Sequence, residues 1–198
     1  MKKILLIALL FTSSPAYCQS TLEDVKIFVN KIGNDIVGIA GDKKNSESKK
    51  REKIISIVDK AIDAEWIARF VLAKNYKTAN EEQRKTFIEL YRGFMINTYG
   101  PKFKNYDGRK FEVKEVTEQS GFYLAKSEFL PRDSNVVINV DFRVKDRAGK
   151  LVILDFIAEG VSLIETQRSE FNSAIAKDGM DKFLENFKAR VESLKKQS

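Results

Sequence analysis

The sequence predicts an α+β fold: a curved, mostly antiparallel sheet of about four strands, wrapped on one side by N-terminal and C-terminal helices. Three observations predict it. From Leu22 to Tyr99 the apolar residues recur at spacings of three and four, the period of helices. From Arg109 to Ala158 the period falls to two, the period of strands. Beyond Glu165 it returns to three and four. The strand segments follow one another through short loops, so neighbours in sequence should pair antiparallel.

Residues 1–18 stand apart from this pattern. Lys2 and Lys3 form a positive start, Ile4 to Phe11 an apolar run, and Pro15, Ala16 and Cys18 supply the small residues of a cleavage site. The run is much shorter than the ~20 residues that span a bilayer. It reads as a secretory signal cut near residue 18, leaving one domain over 19–198.

In the mature chain, Val25, Phe28, Val29, Ile32 and Ile36 share one helix face, and Gly38 and Gly41 mark its end. The basic run Asp42 to Lys53 leads into a second helix carrying Ile54, Ile55, Val58 and Ile62. Asp63 is a natural N-cap for a short helix through Lys74 with Trp66, Ile67, Phe70 and Val71 inward. Asn80 caps the next helix, whose stripe is Phe87, Leu90, Tyr91, Phe94, Met95 and Tyr99, stopped near Gly100-Pro101. The expected strands are Phe111–Val113, Phe122–Leu130, Val136–Val144 and Leu151–Ala158, the last two joined by a turn at Asp146-Arg147-Ala148-Gly149. Two amphipathic helices, Glu165 to Lys177 and Met180 to Lys195, close the chain.

Composition narrows the chemistry. The chain has no histidine, which removes the usual general base and the usual metal ligand. Its one cysteine, Cys18, falls in the leader, so the mature chain needs no disulfide. No glycine-rich phosphate loop occurs, Ser162 and Ser169 lack an activating partner, and no metal or cofactor is expected. Asp155 and Glu159 could serve as a carboxylate pair, but their spacing fits structural roles better. Loss of Lys2 and Lys3 takes the net charge from +7 to +5, a balance that favours anionic surfaces; export disfavours nucleic acid as the partner.

Leu151 to Ala158 is apolar on both faces apart from Asp155, so something oily must cover each face. Packed helices are one such cover and a greasy pocket is the other; periodicity does not choose between them. A curved sheet closed over by helices commonly leaves a small-molecule pocket at its mouth.

The residues beyond this strand carry a family likeness. Asp155-Phe156-Ile157-Ala158-Glu159-Gly160-Val161-Ser162-Leu163-Ile164, followed by Arg168-Ser169-Glu170-Phe171, resembles the D-V-x-x-E-G-V-S-L-x…[RK]-S-x-F segment of MlaC-type proteins. Ala68-Arg69-Phe70-Val71-Leu72 is similar to the family's A-x-x-V-L element. Thr78-Ala79, Gln83-Arg84 and Phe87 resemble its A-T-x-x-Q-R-x-x-F, and Thr98-Tyr99 matches the T-Y that closes the same helix. Lys177-Asp178-Gly179-Met180-Asp181 resembles its [RK]-x-G-[IM]-D turn. Ala73 departs from the family's usual Gly, Tyr76 from a frequent Trp, and Gly149-Lys150-Leu151 lacks a Trp common at that strand start.

This resemblance implies an NTF2-like domain around an apolar cavity that holds phospholipid tails. It implies a non-enzymatic periplasmic carrier that shuttles lipid between an outer-membrane lipoprotein complex and an inner-membrane ABC transporter complex, with transient membrane contact. Such proteins maintain outer-membrane asymmetry and are also known as toluene-tolerance transporter components. The cargo is phospholipid, and no cofactor is implied. The alternative is a related periplasmic binding protein or enzyme for another small apolar ligand. The expected lipid-binding residues are Phe70 and Val71 on the short helix, Phe87, Leu90, Tyr91 and Phe94 on the long one, and Val140, Phe142, Leu154 and Phe156 on the sheet. Tyr99 and Arg168 are expected at the mouth, where a hydroxyl or a cation could meet phosphate. For Arg168, pairing with Asp155 or Glu159 is the equal alternative.

Overall fold

The structure, a computed structural model, describes residues 19–99, 108–132 and 135–197. The signal segment expected at 1–18 and the helix stop expected at Gly100-Pro101 lie outside the described residues. Five helices come first: α1 (Leu22–Ala40), α2 (Glu47–Ala61), α3 (Ala64–Leu72), α4 (Lys74–Thr78) and α5 (Glu81–Tyr99). Strands β1 (Gly108–Gln119), β2 (Phe122–Pro131), β3 (Ile138–Arg147), β4 (Lys150–Ala158) and the two-residue β5 (Val161–Ser162) follow, and then α6 (Leu163–Asp178) and α7 (Met180–Gln197).

Local chemistry sets most boundaries. Thr21 and Asp24 form a reciprocal capping box at the start of α1, and Asn80 and Gln83 form the same device before α5, each backbone N–H donating 2.9 Å to the other's side chain. Asp63 accepts the Trp66 N–H at 3.0 Å, as its place before α3 predicts. That helix ends two residues before the expected Lys74, because Ala73 adopts φ 51° and breaks the chain into α4. A Cβ is unfavourable in this left-handed region, so Ala73 carries some backbone strain at the break.

The sheet is antiparallel throughout, in the order β1-β2-β3-β4-β5, and unclosed. It holds one strand more than expected: β5 turns back on β4 through Glu159-Gly160, both at positive φ. The expected turn between β3 and β4 has Ala148 and Gly149 at positive φ, with Asp146 accepting the Gly149 N–H at 2.6 Å. Both faces of β4 are buried, as its apolar character demands. Ile153 and Phe156 join the core shared with α1 and α2, while Val152, Leu154 and Asp155 are also buried and the strand meets α3 and α6. Helices therefore cover both sides of the sheet at β4, rather than one.

Two apolar clusters result. One lies between the sheet, α1 and α2 and includes Val29, Ile54, Phe142 and Ile153. The other lies among α3, α5, α6 and α7 and includes Phe87, Tyr91, Phe171 and Phe187.

Candidate functional site

The first cluster does not close. Between α1, α2, α5 and the sheet it leaves a cavity of about 440 Å³, within the size range of small-molecule sites. Helix α1 contributes Ile32, Gly33, Ile36 and Val37 to its wall, and α2 contributes Ile54, Ile55 and Val58, with Ile62 just past its end. The floor is aromatic. Phe111 meets Phe142 edge-on at 5.9 Å, and Phe142 meets Phe156 at 5.1 Å. Val140, Ala158 and Val161 carry the floor toward β5, with Leu163 at the start of α6.

Backbone geometry keeps this space open. A Cβ at Gly33 would overlap the ring of Phe111, so the missing side chain is what lets that ring lie against α1. Helix α2 packs on α1 and touches β4, but it does not pack closely on α5. The gap between α2 and α5 is bridged by polar groups. Arg92 donates to Asp59 from Nε at 3.1 Å and from Nη2 at 2.5 Å, and Arg51 donates to Asn97 at 2.8 Å. Asp59 and Arg92 are the charged side chains in the cavity lining, and Asp59 holds the Arg92 guanidinium above its usual range.

The corner after β4 is built from the polar residues of the sequence motif. Asp155 accepts the Ser162 hydroxyl at 2.6 Å and the Ile164 N–H at 3.2 Å, fastening the start of α6 to the strand. Burial pushes its carboxyl above the ordinary value, with these two bonds and Arg143, 3.6 Å away, pulling against that shift. Ser162 in turn accepts the Glu165 N–H as N-cap of α6. Glu159 accepts the Asn139 N–H at 2.7 Å. These bonds give both carboxylates structural work.

The expected site residues divide between the two clusters. Val140, Phe142 and Phe156 stand on the cavity wall. Phe70, Val71, Phe87, Leu90, Tyr91 and Phe94 belong instead to the helical cluster, where Phe87 and Phe171 meet edge-on at 6.0 Å and Tyr91 donates its hydroxyl to Gln167. On α5 the cavity is met by Arg92, Met95 and Ile96, of which Met95 also packs against the helical cluster. Leu154 is buried but off the wall, because β4 bulges there. Arg143 pairs with Asp155 and Val144 with Ile153, so Leu154 has no partner and the alternation shifts by one. Arg168 is not at the mouth and pairs with neither Asp155 nor Glu159; its guanidinium lies 4.7 Å over the Phe70 ring. The Tyr99 side chain lies outside the described residues.

Most of the wall that was not expected comes from α1 and α2. The available signal was composition: the α2 stripe is wholly aliphatic, and Gly33 interrupts the α1 stripe. A wholly aliphatic stripe, or one interrupted by a glycine, fills less space than the ring-rich stripes of α5 to α7.

Fold and cavity together define an α+β protein with an internal apolar chamber, and a solved structure shows the same fold. The chain matches the phospholipid-binding protein from Ralstonia solanacearum in complex with a phospholipid, with a TM-score of 0.72 and 18% identity, over 84% of this chain and 98% of that one. The model of the MlaC protein family matches residues 30–189, and the chain belongs to that family.

Proposed function

We propose that this protein binds phospholipid, with the acyl chains in the cavity and the headgroup at the rim. The observation that carries the reading is the cavity of about 440 Å³, apolar on its walls and charged only at its α2–α5 edge, in a chain of the MlaC family. Two chains of about fifteen methylenes each cost roughly 20 kcal/mol or more to expose to water, at ~0.8 kcal/mol per CH₂. No useful free concentration of such a lipid crosses an aqueous compartment, and a dry chamber removes that barrier without any catalytic group.

On this reading the chain is exported by residues 1–18, works in the periplasm as the mature 19–198 domain, and is a carrier rather than an enzyme. It takes up and delivers lipid between an outer-membrane lipoprotein complex and an inner-membrane ABC transporter complex, and so supports outer-membrane lipid asymmetry. Phospholipid is its cargo, not a cofactor. The absence of histidine and the structural bonds of Asp155 and Glu159 support the non-catalytic role.

Native mass spectrometry of the protein purified from cells, with no lipid added, tests this directly. The expected result is a population carrying two-chain phospholipid of mixed headgroups. Recovery of clean apoprotein that takes up nothing from phospholipid donor vesicles would falsify the reading. Recovery of a one-chain or non-lipid apolar ligand would favour the alternative binding protein.

A further inference from the structure

The cavity wall carries three polar side chains, Asp59, Arg92 and Thr166. The Thr166 hydroxyl is spent on the Ser162 carbonyl, 2.8 Å away. Arg92 and Asp59 face each other across the seam where α5 and α2 fail to pack closely. Their side chains are 47% and 35% exposed, so the pair sits at the rim, where a headgroup would emerge from an apolar chamber. An ion pair this exposed is weak, because water screens it and two side chains must be held in one geometry.

Its shape is informative. Arg92 offers Nε and Nη2 side by side to Asp59, in the fork arrangement that also fits two oxygens of a phosphate. A phosphodiester is the one anionic unit shared by phospholipids of differing headgroup. We propose that Arg92 is the phosphate-binding residue of this cavity and that Asp59 is its internal placeholder, exchanged for the lipid phosphodiester on loading. The proposal rests on the phospholipid reading above.

The exchange has a mechanical side. Asp59 lies on α2, and breaking its bond to Arg92 removes one of the polar links that bridge α2 to α5. The remaining link described is Arg51 to Asn97, near the other end of the same seam. Loading thus loosens the helix whose aliphatic face, Ile55 and Val58, must make room for the tails. In the empty protein the carboxylate satisfies Arg92 and draws the seam together.

The test uses competition between two cargoes with identical tails. Donor vesicles of dioleoylphosphatidylglycerol are doped with dioleoylglycerol, which has the same chains and no phosphate. The full mature protein is incubated with them, recovered, and its bound lipids are quantified by mass spectrometry as a phospholipid-to-diacylglycerol ratio. Arg92→Gln is expected to lower that ratio by about tenfold, the scale of losing a charge-assisted fork. Asp59→Asn, which frees the fork, is expected to raise it by about threefold, the scale of removing a weak competing pair.

Both substitutions weaken the Arg92–Asp59 bridge across the seam, so a merely structural role moves the two cargoes together and leaves the ratio unchanged. An unchanged ratio in both variants, or a fall in both, overturns the assignment of Arg92 while leaving the phospholipid reading standing. Wild-type protein that takes up neither lipid overturns the phospholipid reading itself, and the exchange with it.

Discussion

Around Phe171 in the helical half, Phe87, Tyr91, Phe94, Phe183 and Phe187 lie ring against ring, with centroids 4.9 to 6.4 Å from Phe171. On the other side of β4, Phe111, Phe142 and Phe156 also touch, but they form a single layer with aliphatic helices above it and about 440 Å³ between. Both regions are apolar and both are rich in phenylalanine. They differ in what opposes the rings. In the first, rings from α5, α6 and α7 interdigitate, and flat groups approaching edge-on fill space to interior density. In the second, short β-branched side chains on α1 and α2 face the rings, and the packing leaves a cavity between them. A cavity is thus a matter of partner shape rather than of how hydrophobic a region is.

The largest expected effect breaks the packed side of that contrast. Phe171→Ala should cost about 3–5 kcal/mol, because neighbouring rings cannot collapse into the space. Denaturant unfolding measures the loss, and the lipid content per folded molecule should stay unchanged. A drop in lipid content per folded molecule would mean the two regions are coupled.

Next comes the joint between them. Asp155→Ala removes the acceptor of Ser162 and Ile164 and leaves Arg143 without its buried partner, at a cost of about 3 kcal/mol. Its pH dependence has a definite sign. Burial raises the folded carboxyl above its ordinary 3.8, so this group favours folding most below that value and less as pH rises through the raised one. In Asp155→Asn the acid-range decline attributable to this group should vanish, as followed by stability measured against pH.

Smaller effects sharpen the open side. Gly33→Ala should cost about 1–2 kcal/mol and drive the Phe111 ring into the chamber, lowering bound lipid. Val140→Phe fills the wall instead. It should raise stability by about 0.5–1 kcal/mol while also lowering bound lipid, an opposite pairing of stability and loading. Thermal melts with lipid quantification on the same samples separate the two.

The sequence carried the elements well because their cues are local. The caps at Asp63 and Asn80 and the turn at Ala148-Gly149 all act within a few residues of where they are read. The site was legible only in part. Periodicity names the apolar stripe of a helix but not what lies opposite, so it points to the Phe87 to Phe94 stripe of α5, whereas Met95 and Ile96 line the cavity. Val140, Phe142 and Phe156 share the cavity wall because alternation places them on one face of neighbouring strands. Leu154 misled because strict alternation from Phe156 passes through it, and a bulge has no signature in apolar spacing.

That bulge gives β4 a property like a reading frame. The strand is apolar for most of its length, so exchanges among Val, Ile and Leu leave the pattern intact. Length is another matter. Removing Leu154 would restore strict alternation and turn either the Ile153 side or the Phe156 side of the strand onto the wrong face, with Asp155 carried along or left behind. Phe156 would leave the chamber floor, or Asp155 would lose the start of α6. This segment should therefore accumulate substitutions over evolutionary time while rejecting insertions and deletions, with one unpaired leucine keeping chamber and helix in phase.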